Sequence, residues 1–423
     1  TIRRPMKRRM PVVCLAFSGG LDTTYCAILL REEGHRVHAV TVDTGGFSPR
    51  EKRTIAARAK AAGVEKHVFR DGRREVFERY ALPLIFGNVL RGGVYPLSVA
   101  AERAVQIAAA AGYARRTGAR AIAHGSTAAG NDQFRFDAGL RVLAPGIEVL
   151  APVRDSGVSR EEETAYCASR GVAIPAKTTR YSVNEGLWGT TIAGGETHDP
   201  WELPPEALYP GNRLAKTPKT PRFAVVLFRK GRPVSLDGRS LEGIELVERL
   251  NALGRRYAAG RAVHLGDTIL GSKGRIVFEA PAALALIAAH AELEKLVMTK
   301  EQRQLKTLVA ETYGRLLHEG LAFEPALFDA DAYLRATQAR VSGEAKLRFS
   351  PGRFEVVGVR SPHSLLRPSV VRYGESNAYL SPAEAKGVGK TLALPGRLWT
   401  LAGQKSGRRS FRSAEPSGKK ETR

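Results

Sequence analysis

The stretch Leu15-Ala16-Phe17-Ser18-Gly19-Gly20-Leu21-Asp22-Thr23-Thr24 places a hydroxyl and two glycines between an apolar run and the start of a helical pattern. A strand that ends in Ser-Gly-Gly and runs into a helix offers unpaired backbone N–H groups and the positive end of the helix dipole at one point. Such a turn suits a phosphate or pyrophosphate. Gly19 and Gly20 permit positive φ and close approach of ligand oxygens, Ser18 and Thr23 add hydroxyl donors, and Asp22 can cap the helix or help hold Mg²⁺. The turn lacks the Gly-Lys-Ser/Thr ending of a Walker A loop and is not G-x-G-x-x-G. Taken alone, it reads equally as a glycine turn that caps a helix.

A second stretch, AHGSTAAGNDQFRFD (123–137), is dense in polar and charged residues. Each has a plainer reading: Asp132 as the cap of a helix beginning near Gln133, Arg135 as a surface partner of Asp137, Tyr95 as a half-buried aromatic at a strand end. His124 has no other His, Asp or Glu at metal-ligand spacing, so a packed or hydrogen-bonded core histidine is expected and no metal site is read. Cys14, Cys26 and Cys167 are widely spaced with no C-x-x-C, which suggests small core hydrophobes rather than disulfides or a zinc site.

The elements around these stretches alternate. Short apolar runs at 12–17, 37–43, 67–69, 121–127 and 148–153 are separated by helical patterns at 23–33, 51–63 and 97–116. This is the signature of a doubly wound parallel sheet, whose ligand lies beyond the carboxyl ends of the strands. From about Lys177 the pattern changes. Residues 195–221 are rich in Pro, Gly and polar residues. A hairpin is expected at 222–238, a helix at 242–253, two long helices across 282–319 and a strand pair at 343–361, which together make an α+β domain. The expected domains are 11–176, 177–375 and a C-terminal extension, 376–423, in which Pro395 and several glycines argue against a long helix and the basic tail is expected to be disordered.

The chain has 423 residues, 43% of them hydrophobic, and a formal net charge of +24, of which the two terminal tails supply +10. No Lys/Arg stripe interleaved with aromatics appears in the body, so solvated basic tails are preferred to a nucleic-acid partner. No apolar run approaches the ~20 residues of a membrane span, and the basic N-terminus lacks the apolar segment of a signal peptide, so no membrane partner and a cytoplasmic address are expected.

S-G-G-L-D-T after an apolar strand resembles the pyrophosphate loop of the ATP pyrophosphatase superfamily, with its adenine nucleotide alpha hydrolase-like fold. Within it, HGSTAAGNDQFRFD and YSVNEGLWGTTIAGGE (181–196) resemble the argininosuccinate synthase family, and YPL (95–97), LAPVRD, DPWELPPEALY, GRIVFEAP and VRSPHSLL follow in family order across roughly residues 12–370. The resemblance implies ligation of L-citrulline to L-aspartate, with ATP and Mg²⁺, through a citrullyl adenylate, in a homotetramer. It assigns ATP to Ala16, Ser18, Gly19, Gly20, Asp22, Thr23, Thr24, Val42 and Gly125. It assigns aspartate to Thr127, Asn131 and Asp132, and citrulline to Tyr95, Asn131, Arg135, Ser182 and Thr191. Asp132, with Asp22 the candidate catalytic residue, would orient the aspartate amine or accept its proton.

The citrulline side departs from the family pattern. Val99-Ala100 replaces a pair that carries hydroxyls, Ala128-Ala129 replaces Gly-Lys, and Phe278 replaces a tyrosine. Where the family has the glutamate of V-E-N-R, this chain reads Leu265-Gly266-Asp267-Thr268, and Asp267 is expected to substitute from the next position. A second reading therefore stays open at this point, a ligase that couples aspartate to another ureido or carbonyl acceptor, such as an N-acylated citrulline. A thiolating tRNA enzyme is disfavoured because Cys167 has no evident partner.

Overall fold

A computed structural model describes residues 10–174 and 181–405. The chain forms two compact units that divide after Ser364.

In the first unit, five strands build a parallel sheet: β1 (Val12–Ala16), β2 (Arg36–Asp43), β3 (Lys66–Asp71), β4 (Ala121–Ala123) and β5 (Glu148–Leu150), in the order β3-β2-β1-β4-β5. Successive residues of β1 serve opposite faces. Val13 and Leu15 pack with Ile28, Leu30, Ile55 and Cys167 from helices Leu21–Glu32, Pro49–Ala61 and Arg160–Ser169. Cys14 packs on the other side with Val40, Val105 and Ile107, the last two from helix Ser98–Thr117. A run apolar at every position is what a strand covered on both faces requires. The strand order reverses between β1 and β4, so the crevice beyond their carboxyl ends is the place for a ligand.

The three cysteines are buried and free. Burial pushes the Cys14 thiol up to about 12 and the Cys167 thiol to about 11, so neither is a nucleophile at neutral pH.

Two antiparallel sheets follow. One joins β6 (Tyr181–Gly186) and β7 (Gly189–Gly194) to β11 (Arg261–Asp267) and β12 (Lys273–Glu279), in the order β11-β12-β7-β6. The other holds β8 (Arg222–Arg229), β9 (Arg232–Leu236), β10 (Arg239–Ser240), β13 (Gly343–Ser350) and β14 (Arg353–Arg360), in the order β10-β9-β8-β13-β14. Helices Gly243–Arg256, Pro281–Val297, Lys300–His318 and Pro325–Ala336 complete this part. The overall class is therefore α/β, as the alternation of runs predicts.

The turn between β6 and β7 meets the loop after β2. A Cβ on Gly46 would lie 2.0 Å from the Glu185 carbonyl oxygen, and Gly45, at φ +105, would meet the Leu187 nitrogen. Only glycines allow this close approach, which fixes the antiparallel sheet against the nucleotide-type sheet.

The second unit corrects one expectation. Helix Pro382–Lys405 runs unbroken through Pro395. Its start is a capping box, with Ser381 N donating to Glu384 at 2.8 Å and Glu384 N returning to Ser381 Oγ at 3.3 Å. Pro395 removes one bond of the ladder without ending the helix. A short hairpin, β15 (Val371–Arg372) and β16 (Ser376–Asn377), precedes it. The expected disorder of the terminal tail concerns residues outside those described, as does the boundary expected at 176.

Candidate active site

The Ser18-Gly19-Gly20 turn leaves β1 under restraint. Phe17 N donates to the Val40 carbonyl at 3.0 Å, and Thr41 Oγ1 donates to the Phe17 carbonyl at 2.7 Å. Gly19 sits at φ +73. Its carbonyl accepts Arg58 Nη1 at 2.7 Å, so helix Pro49–Ala61 clamps the turn. Gly20 is the N-cap of helix Leu21–Glu32 and brings no side chain to cap it. The first intrahelical bond recorded is Thr24 N to the Gly20 carbonyl, which leaves the Leu21, Asp22 and Thr23 amides open to a ligand.

Ser18 and Thr23 stand together at the mouth, their hydroxyls 3.2 Å apart. Thr24 does not join them. It is fully buried, and its hydroxyl donates to the Gly20 carbonyl at 2.7 Å, so the expected phosphate contact through its side chain is not available. Gly125, just beyond β4, faces the same helix end. A Cβ there would lie 3.1 Å from Thr23 N and from the Asp22 carbonyl carbon. Ala16 and Val42 lie at or near the carboxyl ends of β1 and β2, beside the turn.

Asp22 Oδ1 is buried with no hydrogen-bond partner, and Arg160 Nη1 approaches it at 4.0 Å. Glu163, one turn further along helix Arg160–Ser169, lies against it. Burial first, then the negative charge of Asp22, raise Glu163 to about 8, so this carboxyl is protonated at neutral pH.

The loop after β4 carries the polar cluster. His124 is a core histidine as expected, bonded to Asp137 Oδ1 at 3.1 Å and accepting Ser126 N at 3.2 Å. Asn131 is the N-cap of helix Asp132–Leu143, and its side-chain oxygen accepts Ile269 N at 2.9 Å, tying down the β11–β12 turn. Thr127 sits half-buried in the same loop.

Asp132 is held by two guanidinium groups. Arg103 Nε lies 2.7 Å from Oδ2, and Arg135 Nη1 lies 2.8 Å from Oδ1. Burial works to raise its pKa, but the two arginines outweigh this and hold it at about 2. A carboxylate of that acidity is a poor proton acceptor at neutral pH. The expected base role is therefore not supported, and what the arrangement offers is a fixed negative charge.

Arg135 does not pair with Asp137 at the surface. It is buried, and its other nitrogens donate to the His318 carbonyl at 3.1 and 2.9 Å. Arg103 comes from the alanine-rich helix Ser98–Thr117, and no local pattern marks it as special. Its remaining nitrogens reach Gln106 and Asn184, so it links Asp132 to β6.

A third group lies beside this cluster. The hydroxyls of Tyr95, Ser98 and Thr191 are 3.2–3.3 Å from one another, and the Tyr95 ring packs on Phe278 at 5.3 Å and on His264 at 5.7 Å. Ser98 thus supplies a hydroxyl next to the position where Val99-Ala100 lacks them. Ser182 shares the sheet face of Thr191 and Phe278 but is exposed.

Asp267 does not belong to this group. Phe278 stands opposite Thr191 on one side and Ala262 on the other, so Ala262, His264 and Gly266 face Tyr95. Asp267 is on the other face, its carboxylate paired with Lys273. A one-residue step along a strand reverses the side chain, which is why the sequence neighbour of Gly266 fails to substitute there.

The N-terminal HUP domain model of arginosuccinate synthase matches residues 12–173, and the model of its C-terminal domain matches residues 181–399. The chain is 36% identical over 392 residues to an argininosuccinate synthase of Methanocaldococcus jannaschii, covering 92% of this chain and 98% of that one. It is 38% identical over 400 residues to one of Xanthomonas axonopodis pv. citri, with 92% and 94% covered, and 38% identical over 397 residues to one of Dictyoglomus turgidum, with 93% and 98% covered.

Proposed function

The chain belongs to the argininosuccinate synthase family, and from that premise we propose how its residues join citrulline to aspartate. The enzyme is a C–N ligase that uses ATP and makes argininosuccinate, AMP and pyrophosphate. The ureido oxygen of citrulline is a poor leaving group. It attacks the α phosphate, pyrophosphate departs, and the aspartate amine displaces AMP from the activated carbon. Nothing in this sequence needs a covalent enzyme nucleophile, so the work of the protein is alignment and charge neutralisation.

The single observation that carries the reading is the uncapped start of helix Leu21–Glu32, open toward Gly125 and next to the Asn131-Asp132 loop. The open amides and the Ser18 and Thr23 hydroxyls take the phosphates of ATP, and the helix dipole favours the charge of the departing pyrophosphate. Asp132, ionised at all working pH values, draws the aspartate amine, with Thr127 and Asn131 beside it. Tyr95, Thr191 and Arg135 border the citrulline side, with Phe278 as an apolar floor.

Mg²⁺ is the expected companion of ATP. Asp22 Oδ1, buried and without a hydrogen bond, is a fitting ligand, and a bound cation would supply charge neutralisation at the phosphates. Among the described residues no helix is long and apolar enough to cross a membrane, in keeping with a cytoplasmic enzyme. We infer a homotetramer held by helix Pro382–Lys405, supported by its exposed Leu392, Leu398 and Trp399.

The test is to incubate purified protein with ATP, Mg²⁺, aspartate and citrulline, and to assay pyrophosphate and argininosuccinate together. Equal amounts of the two, with neither formed when citrulline is omitted, are expected. Pyrophosphate without argininosuccinate would refute the reading.

A further inference from the structure

We propose that His264, and not Asp267, is the β11 residue that receives the α-amine of the acceptor amino acid; this rests on the ligase reading above. The argument begins with the sheet register. His264 follows Ala262 by two positions and therefore shares the face of Thr191 and Phe278, whereas Val263, Leu265 and Asp267 face away and are exposed. Its ring is 8% exposed and lies nearly parallel to the Tyr95 ring, at 19° and 5.7 Å.

The space it fills is made by two glycines. A Cβ on Gly266 would sit 2.6 Å from His264 Nε2, and one on Gly92 would sit 2.9 Å from Cε1. Any side chain at 266 would have to displace the imidazole, so the pair Gly266 and His264 is one arrangement of the wall rather than a gap in it.

The chemistry of the wall favours the same assignment. An α-amino acid brings an ammonium whose N–H groups lose water on entry and need acceptors. The hydroxyls of Tyr95, Ser98 and Thr191 bond one another, which takes up part of their accepting capacity, and Phe278 and Ile276 offer none. Among the described residues neither ring nitrogen of His264 makes a hydrogen bond, and Nε2 lies where a side chain at 266 would begin, on the face of Thr191 and Phe278, so a neutral ring has an acceptor to offer there.

The charged and titratable groups facing it keep it neutral. Arg91, from the loop before Tyr95, holds the Asp267 carbonyl at 2.8 Å, and His318 closes the side formed by helix Lys300–His318. Burial, then the charge of Arg91, lower the His264 pKa. His318 is itself pushed down to about 3 by burial, Arg135 and Arg91. A neutral imidazole accepts from an ammonium, whereas its protonated form repels one.

The experiment is steady-state kinetics of the full-length protein, with citrulline, aspartate and ATP each varied, for wild type, His264→Leu, His264→Gln and the opposite-face controls Val263→Thr and Asp267→Asn. His264→Leu should raise the citrulline KM about tenfold or more while the other two KM values stay within about twofold. His264→Gln retains an acceptor oxygen and should recover most of the loss. Citrulline kcat/KM of the wild type should fall toward acid pH, and this fall should vanish in His264→Gln.

An unchanged citrulline KM in His264→Leu overturns the proposal. So does equal damage to all three substrates by both His264 variants, or a citrulline-specific defect in Asp267→Asn. A wild-type enzyme that makes no argininosuccinate from citrulline sinks the functional reading and the proposal together, whereas a wild type that works alongside an unaffected His264→Leu sinks the proposal alone.

Discussion

Arg103 Nε donates to Asp132 Oδ2 at 2.7 Å, and the same guanidinium reaches Asn184 on β6. One side chain thus connects the helix after Tyr95, the Asp132 carboxylate and the antiparallel sheet. On the reading proposed above, the relative placement of aspartate and citrulline depends on this single buried cation.

Replacing Arg103 by Leu leaves Asp132 with Arg135 alone. Loss of one partner of a largely buried pair costs ~3–5 kcal/mol. We expect the aspartate KM to rise at least tenfold, together with a lower melting temperature. Arg103→Lys keeps charge but not the fork geometry and should fall between. Kinetics with aspartate varied at saturating ATP and citrulline check this. An effect on ATP alone would contradict it.

Gly125→Val tests the nucleotide end. Its Cβ would stand 3.1 Å from Thr23 N, in front of the open amides. The ATP KM should rise by about tenfold or more, with some loss of melting temperature as well, because the Cβ also meets the helix backbone at Asp22 and the Thr23 side chain at 3.1 Å. Nucleotide binding measured by calorimetry separates this from a folding defect.

Tyr95→Phe removes a hydroxyl that lies 3.3 Å from Ser98 Oγ, from Thr191 Oγ1 and from Val99 N. The expected cost is about 0.5–1.5 kcal/mol of stability, plus a raised citrulline KM. Urea denaturation and citrulline kinetics on one preparation test both parts. Unchanged citrulline kinetics would remove the hydroxyl triangle from the site.

Two buried carboxyls set a pH dependence of stability. Burial and Asp22 raise Glu163 to about 8, and burial raises Glu102, against the opposing pull of Arg103, to about 8 as well. The unfolded value is about 4.3. Between those pH values the folded protein keeps protons that the unfolded chain releases, so these groups stabilise most below pH ~4.3 and progressively less as pH rises to ~8. Glu163→Gln should therefore lessen the fall in melting temperature between pH 6 and 9, by on the order of a few degrees. An equal fall in wild type and variant would contradict the assignment.

Much of this was legible in the residue string, and for physical reasons. The phosphate turn announces itself because a fully apolar strand, two glycines and a helix start are all local features. The parallel sheet announces itself through covered strands that lack alternation. The β11–β12 hairpin is harder to see, because Gly266 and Gly274 occupy pocket-face positions and blur the period-two pattern, while Gly271, at φ +84, only marks the turn. Arg103 was invisible for a different reason. Nothing in an alanine-rich helix says which arginine will meet a carboxylate 29 residues away in sequence.

Asp267 shows the limit most clearly. Its carboxylate recommends it one position beyond the family glutamate, and strand geometry alone turns it to the far face. Thr24 fails in the same manner, since the first turn of its helix directs it into the core while Thr23, one residue earlier, reaches the mouth. In both cases residue type is readable from sequence, but direction is fixed by the fold.

The central claim is that the ureido oxygen of citrulline attacks the α phosphate of ATP. Citrulline labelled with ¹⁸O at that oxygen, turned over with ATP and aspartate, follows the bond directly by mass spectrometry of the products. The account predicts one labelled oxygen in the phosphate of AMP for each argininosuccinate formed, and none in pyrophosphate. Label in pyrophosphate, or in neither product, would contradict it.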